Sequence, residues 1–122
     1  AQREGASLVH CYAGKDRTGV AATMLLHILG VAEEDQRREF LRTNDSPTFD
    51  VLARQSLPGI EKRLGRKLDE SAAKDLLGVR EEYLDRYLDI ATERHGSFDG
   101  YLEQAIGVDD ALRDALIARF VA

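Results

Sequence analysis

The sequence predicts an α/β chain dominated by helices, with a single strand that enters them through a glycine-containing loop. Three observations carry that expectation. Ser7-Leu8-Val9-His10-Cys11-Tyr12 is short, apolar and closed by a glycine turn, the pattern of a buried core strand. Residues 18–29 are apolar nearly all round (Val20, Ala21, Ala22, Met24, Leu25, Leu26, Ile28, Leu29), the pattern of a central, buried helix. Downstream, apolar residues recur at helical spacing between glycine stops and Ser or Asp caps.

Taken in order, Gly30 stops the first helix. A charged helix follows over residues 33–43, with an acidic start that suits the helix dipole and with Phe40 and Leu41 turned inward. Asn44-Asp45-Ser46-Pro47 reads as a loop ending in a cap, Ser46 at N-cap and Pro47 at N1. Phe49, Leu52 and Ala53 then form a helical stripe, followed by a weaker helix over residues 58–64 and another over residues 69–77. Residues 79–95 give the clearest amphipathic helix, with Val79, Tyr83, Tyr87, Ile90 and Ala91 on one face. Gly96 ends it, Ser97 caps residues 98–106, Gly107 ends those, and Asp109 opens a last helix with Leu112, Leu116 and Phe120 inward.

The size, 122 residues and 13.6 kDa, fits one domain. No apolar run approaches the roughly 18–20 residues that cross a bilayer, and the first six residues lack the layout of a leader, so a soluble chain of open compartment is expected. One cysteine excludes an intrachain disulfide framework and a Cys-rich zinc site. A net charge of −5 argues against a nucleic-acid partner held by a global positive field. The charge is uneven: residues 1–67 sum to +2 and residues 68–122 to −7, so the first half is the one suited to an anion. A lone strand cannot satisfy its own backbone, so residues 1–122 are expected to be the C-terminal portion of a larger domain. Its leading strands would lie upstream or in another chain.

The informative stretch is His10-Cys11-Tyr12-Ala13-Gly14-Lys15-Asp16-Arg17-Thr18-Gly19. A thiol ends the strand, an arginine stands six residues on, a hydroxyl follows it, and a helix begins. Backbone N–H groups of Tyr12, Ala13, Gly14, Lys15, Asp16 and Arg17 can converge on a tetrahedral oxyanion, reinforced by the helix N-terminus. Arg17 can grip two phosphate oxygens through its planar fork. The same field lowers a thiol from near 8.5 into the range of about 3.5–7.5, which makes Cys11 a nucleophile at neutral pH. Thr18 can donate to the sulfur, and His10 can fix the strand end behind it. The chemistry expected is attack of Cys11 on a phosphomonoester and hydrolysis of the resulting phosphocysteine by water, with no metal or cofactor required. A lone cysteine is ordinarily a small buried hydrophobe, and Lys15-Asp16-Arg17 alone is an ordinary turn. Six specified residues at fixed offsets, each at about one in twenty by usage, outweigh that reading.

Cys11-x5-Arg17-Thr18 resembles the signature of the cysteine-based protein tyrosine phosphatases, and the Gly14-Lys15-Asp16-Arg17 loop is similar to that of a bacterial branch of the family. The likeness extends through Leu41-Arg42-Thr43-Asn44-Asp45-Ser46, Gly78-Val79-Arg80-Glu81-Glu82-Tyr83-Leu84 and His95-Gly96-Ser97-Phe98-Asp99-Gly100-Tyr101-Leu102. The resemblance implies a tyrosine-phosphatase-like fold, of which this chain is the mostly helical C-terminal part. It implies Cys11 as nucleophile, Arg17 as phosphate clamp, residues 12–17 as amide cradle and Thr18 as the hydroxyl that helps the cysteine leave. Lys15 then binds a second anionic group and Asp16 assists proton transfer, or Asp16 simply pairs with Lys15 or Arg17. Phosphorylated proteins or phosphoinositides are the implied partners. In the family, strands, a lid and an acid Asp precede the loop, so the 122 residues alone are expected to turn over poorly. The alternative is a helical phosphate-binding module without turnover; sulfur transfer and arsenate reduction are disfavoured, the latter because no resolving thiol is present. Arg37, Arg38, Arg42, Lys62 and Arg63 either widen the positive field or are ordinary helix surface.

Overall fold

Helices occupy most of the computed structural model, which describes residues 5–121. The first four residues, part of the stretch read as lacking a leader, lie outside the described residues. Helix α1 spans Asp16–Ile28 and α2 spans Glu33–Leu41, continued by a 3₁₀ turn at Arg42–Asp45. Helices α3 (Phe49–Leu64), α4 (Glu70–Leu77) and α5 (Glu81–His95) follow. Helix α6 (Phe98–Tyr101) widens into a π turn at Leu102–Ile106, and α7 covers Asp110–Phe120.

Three helix starts are closed by the expected chemistry. Asp69 accepts from the Ala72 N–H at 2.8 Å, Ser97 from Gly100 at 2.9 Å and Asp109 from Leu112 at 2.8 Å. Each such cap is worth about 1 kcal/mol. Gly96 ends α5 at φ 80°, a left-handed conformation that favours glycine.

Two small apolar clusters hold the helices together. In one, Ile28 of α1, Leu102 of the π turn and Val108 pack with Met24, Phe98, Tyr101, Leu112 and Leu116. In the other, Phe40 of α2, Val79 and Leu84 of α5 pack with Leu41, Tyr87 and Leu88. Arg37 reinforces the second by reaching from α2 to Glu81 and Asp85 of α5 while holding Glu33 of its own helix. The hydrogen bonds it donates to Asp85 and then Glu33 push its guanidinium pKa upward.

Several sequence expectations need correction. No strand forms among the described residues; residues 7–12 lack regular structure, with Leu8 87% and Val9 61% exposed, because no second strand is there to complete a ladder. Helix α1 is less enclosed than its composition implies: Thr23 and Ile28 are buried, Val20, Ala21, Met24, Leu25 and Leu26 are partly covered, and Ala22 is exposed. Ser46 is not the N-cap. Phe49 N–H donates to the Ser46 carbonyl at 2.9 Å, and α3 starts after Thr48. The two helices expected over residues 49–64 are one, with Pro58 inside it. Proline removes one intrahelical bond, but Arg54, whose carbonyl would have received it, is exposed to water. The face expected over residues 79–95 holds at Val79 and Ala91, both buried, and at Tyr87, which packs on the second cluster; Tyr83 is the exception, facing outward and donating its hydroxyl to the Asp75 carbonyl at 2.9 Å, while Leu84 is 1% exposed. Phe120 is 54% exposed, its ring beneath the Arg119 guanidinium rather than in a core.

Candidate phosphate-binding site

The loop expected to bind an anion leads directly into α1. Residues 12–15 bend tightly, with Gly14 at φ 71°, a backbone conformation L side chains rarely adopt. Lys15 stands at the helix N-cap, and its carbonyl receives the Gly19 N–H at 2.7 Å. The first N–H groups of α1 are thus presented at the loop, where an anion is stabilised by both donors and dipole.

Cys11 is half-buried at the start of this loop. Its thiol is pulled down from 9.0 to about 6, first by the Thr18 hydroxyl and then by the Thr18 backbone N–H; partial burial opposes the shift, and the Gly14 and Lys15 N–H groups add to it. Thr18 Oγ1 is itself buried and closes no hydrogen bond of full geometry, so it stands as a donor held beside the sulfur. At neutral pH Cys11 is therefore mainly thiolate. His10 Nδ1 lies 3.3 Å from the Cys11 carbonyl oxygen, so its contact is with the backbone behind the sulfur.

The other loop residues divide by environment. Tyr12 and Ala13 are exposed, Tyr12 almost fully. Arg17 is exposed and forms no ion pair with any described residue, so its fork is uncommitted. Asp16 pairs with Lys15 Nζ at 2.9 Å and not with Arg17. Lys15 is only 15% exposed, because Nζ also donates to the Gly78 carbonyl at 2.9 Å, across 63 residues of sequence. A groove of about 610 Å³ runs beside the loop, bordered by Tyr12, Ala13, Gly14 and Lys15 on one side and by Thr43, Ser46, Thr48, Phe49 and Leu77 on the other. Its hydroxyls and its phenylalanine suit a planar group bearing polar substituents.

Three positions matter that sequence reasoning assigned no role. The Asn44 side chain binds both backbone groups of Val79, donating to its carbonyl at 2.9 Å and accepting its N–H at 2.9 Å. Gly78 allows that approach, since a Cβ there would fall 2.6 Å from Asn44 Oδ1. Gly19 serves packing: a Cβ would lie 2.7 Å and 2.8 Å from Phe40 Cδ2 and Cε2. Gly19→Ala should gain about 1 kcal/mol of helix propensity but lose about 1–3 kcal/mol to overpacking, a net destabilisation measurable by urea denaturation. A variant as stable as the parent would show that the Phe40 ring can swing aside. The basic groups offered as a wider field are partly consumed locally: Arg37 as above, Arg38 by Asp35, and Arg42 by Glu39 at 2.9 Å. Lys62 and Arg63 are exposed on the last turn of α3.

Among the described residues no helix is long and apolar enough to cross a membrane. Residues 1–122 match the tyrosine phosphatase family from end to end. The chain is 38% identical over 105 residues to a protein of Cupriavidus necator named "Putative tyrosine-protein phosphatase", covering 85% of this chain and 36% of that one. It is 32% identical over 116 residues to the triple specificity protein phosphatase PtpB of Mycobacterium tuberculosis, covering 85% of this chain and 40% of PtpB. A shorter match, 54% over 35 residues, links it to a tyrosine-protein phosphatase of Nostoc commune, covering 29% of this chain and 12% of that one. The chain thus spans 36–40% of the length of the first two relatives. The family match over residues 1–122 leads to one conclusion: this chain belongs to the tyrosine phosphatase family.

Proposed function

We propose that this chain carries the nucleophile and phosphate cradle of a protein-tyrosine phosphatase, and that it forms the C-terminal portion of a single catalytic domain. The observation that carries the reading is the Cys11 thiol drawn to about 6 by Thr18 and the Gly14 and Lys15 amides at the mouth of α1. The thiolate attacks phosphorus; the P–S bond forms as the bond from phosphorus to the ester oxygen breaks. The leaving phenol takes a proton from a general acid. Water then attacks the phosphocysteine, the P–S bond breaks, inorganic phosphate departs, and Thr18 donates to the thiolate as it leaves. Arg17 and the loop amides neutralise charge on the non-bridging oxygens throughout. Asp16 is the acidic side chain of the loop, and its pairing with Lys15 fixes it beside the cradle. The exposed residues 7–10 support the domain assignment, since Leu8 and Val9 have no cover among the described residues.

Phosphotyrosine is the proposed substrate, its ring lying in the groove beside Phe49. Phosphoserine, phosphothreonine and phosphoinositides fit the same cradle, and the likeness to PtpB, named a triple specificity protein phosphatase, favours that breadth. The test is inactivation of the full-length protein by iodoacetamide as a function of pH. Because thiolate is the reactive form, the rate should rise through a midpoint near pH 6 and level above it, and vanadate should protect. A midpoint near 9 without vanadate protection overturns the reading.

A further inference from the structure

The Lys15 side chain crosses from the loop to the Gly78 carbonyl, at the junction between α4 and α5, and that carbonyl is itself held in place. Asn44, in the 3₁₀ turn after α2, grips the next residue, Val79, by both its N–H and its C=O, each at 2.9 Å. The bond to the Val79 carbonyl holds the 79–80 peptide unit, and the bond from the Val79 N–H orients the 78–79 unit, whose own carbonyl is that of Gly78. Val79 is 3% exposed, which anchors the same unit from the apolar side. The amide of Asn44, the 78–79 backbone and the Lys15 ammonium therefore form a continuous chain that ends on the loop. Lys15 also contributes its own backbone N–H to the environment of Cys11 and its carbonyl to the first turn of α1.

We propose that Asn44 is a positioning residue of the phosphate loop, acting through the Gly78 carbonyl on Lys15. It touches neither the sulfur nor a bound anion. It fixes where Lys15 is anchored, and so keeps the Gly14 and Lys15 N–H groups turned toward the sulfur. Without Asn44 the 78–79 peptide is free to turn, the ammonium loses a fixed acceptor, and the loop samples conformations in which those amides point elsewhere. The inference rests on the reading of Cys11 given above, and its readout is chosen to be independent of turnover.

The experiment measures the pH profile of Cys11 alkylation by iodoacetamide in full-length protein, with circular dichroism confirming the fold of each variant. Asn44→Ala should shift the thiol upward by about one pH unit, so that alkylation at pH 6 slows about fivefold while the plateau at high pH is kept. Lys15→Met should also slow alkylation at pH 6, and the double variant should be no slower than Lys15→Met alone, since both act along one path. Asn44→Leu, close in size and with neither donor nor acceptor, should slow alkylation like Asn44→Ala, and it serves as the decisive variant if the alanine form does not fold. Folded Asn44 variants with the parental profile, or effects of Asn44→Ala and Lys15→Met that add in full, overturn the inference alone. A parent protein whose thiol titrates near 9 overturns the phosphatase reading, and this inference with it.

Discussion

Serine in place of Cys11 is expected to abolish phosphatase turnover, by at least about 10⁴-fold, while leaving the anion site in place. The loop lowers the ionisation of a thiol to about 6, but the donors that achieve this cannot bring an alkyl hydroxyl into its anionic form at neutral pH. The nucleophile is then lost chemically with a change of one atom. The cradle does not depend on the sulfur: Gly14 sets the bend by its backbone, and the α1 N-terminus and Arg17 remain. Removing a negative charge from an anion site should even favour binding. Sulfate, dianionic throughout, should bind the parent protein more weakly as pH rises through about 6, as the thiolate forms, and bind Cys11→Ser with no such step. Equilibrium dialysis with labelled sulfate, beside an aryl-phosphate assay of the same preparations, reads both. Residual turnover within tenfold of the parent would remove Cys11 from the reaction. A binding step that survives in the serine form would assign the titration to another group.

The motif was legible because its chemistry is local. Cys11, Gly14, Lys15 and Thr18 lie within eight consecutive residues, and one turn plus one helix start brings their groups together. Helices with caps were legible for the same reason, as Asp69, Ser97 and Asp109 each bond three residues onward. What could not be read is long-range. Asn44 meets Val79 across 35 residues and Lys15 meets Gly78 across 63, and neither pairing leaves a periodicity in the sequence. The segments containing them, Thr43-Asn44-Asp45 and Gly78-Val79-Arg80, stood out only through resemblance. The strand expectation failed on a different ground. Residues 7–12 have strand composition, but a strand exists only with a partner, and this chain supplies none among its described residues. On α5 the expected inward face departs at Tyr83 alone, because that residue, although largely apolar, has a hydroxyl that finds the Asp75 carbonyl at the rim, leaving the interior to Leu84.

Phe40→Ala is expected to cause the largest loss of stability among single changes near the site, about 3–5 kcal/mol. Phe40 is 4% exposed and is shared by elements far apart in sequence: Val79 and Leu84 on one side, and the bare backbone of Gly19 on the other. Truncation removes most of the ring volume, and Gly19 has no side chain with which to fill it, so the cavity persists where α1 leaves the loop. Against a typical total stability of about 5–15 kcal/mol, that loss is a large fraction. The consequence reaches the chemistry, because Thr18, the residue that acts most strongly on the Cys11 thiol, immediately precedes Gly19. The folded fraction of Phe40→Ala should therefore show a thiol shifted upward from about 6 as the first turn of α1 loosens. Urea denaturation measures the first effect and iodoacetamide profiles below the transition measure the second. A loss under about 1 kcal/mol would mean that the gap is closed by collapse of α1 onto α2. Large destabilisation with an unmoved thiol would mean that the first turn of α1 is held by the loop itself, and that the Phe40 contact supports only the helices behind it.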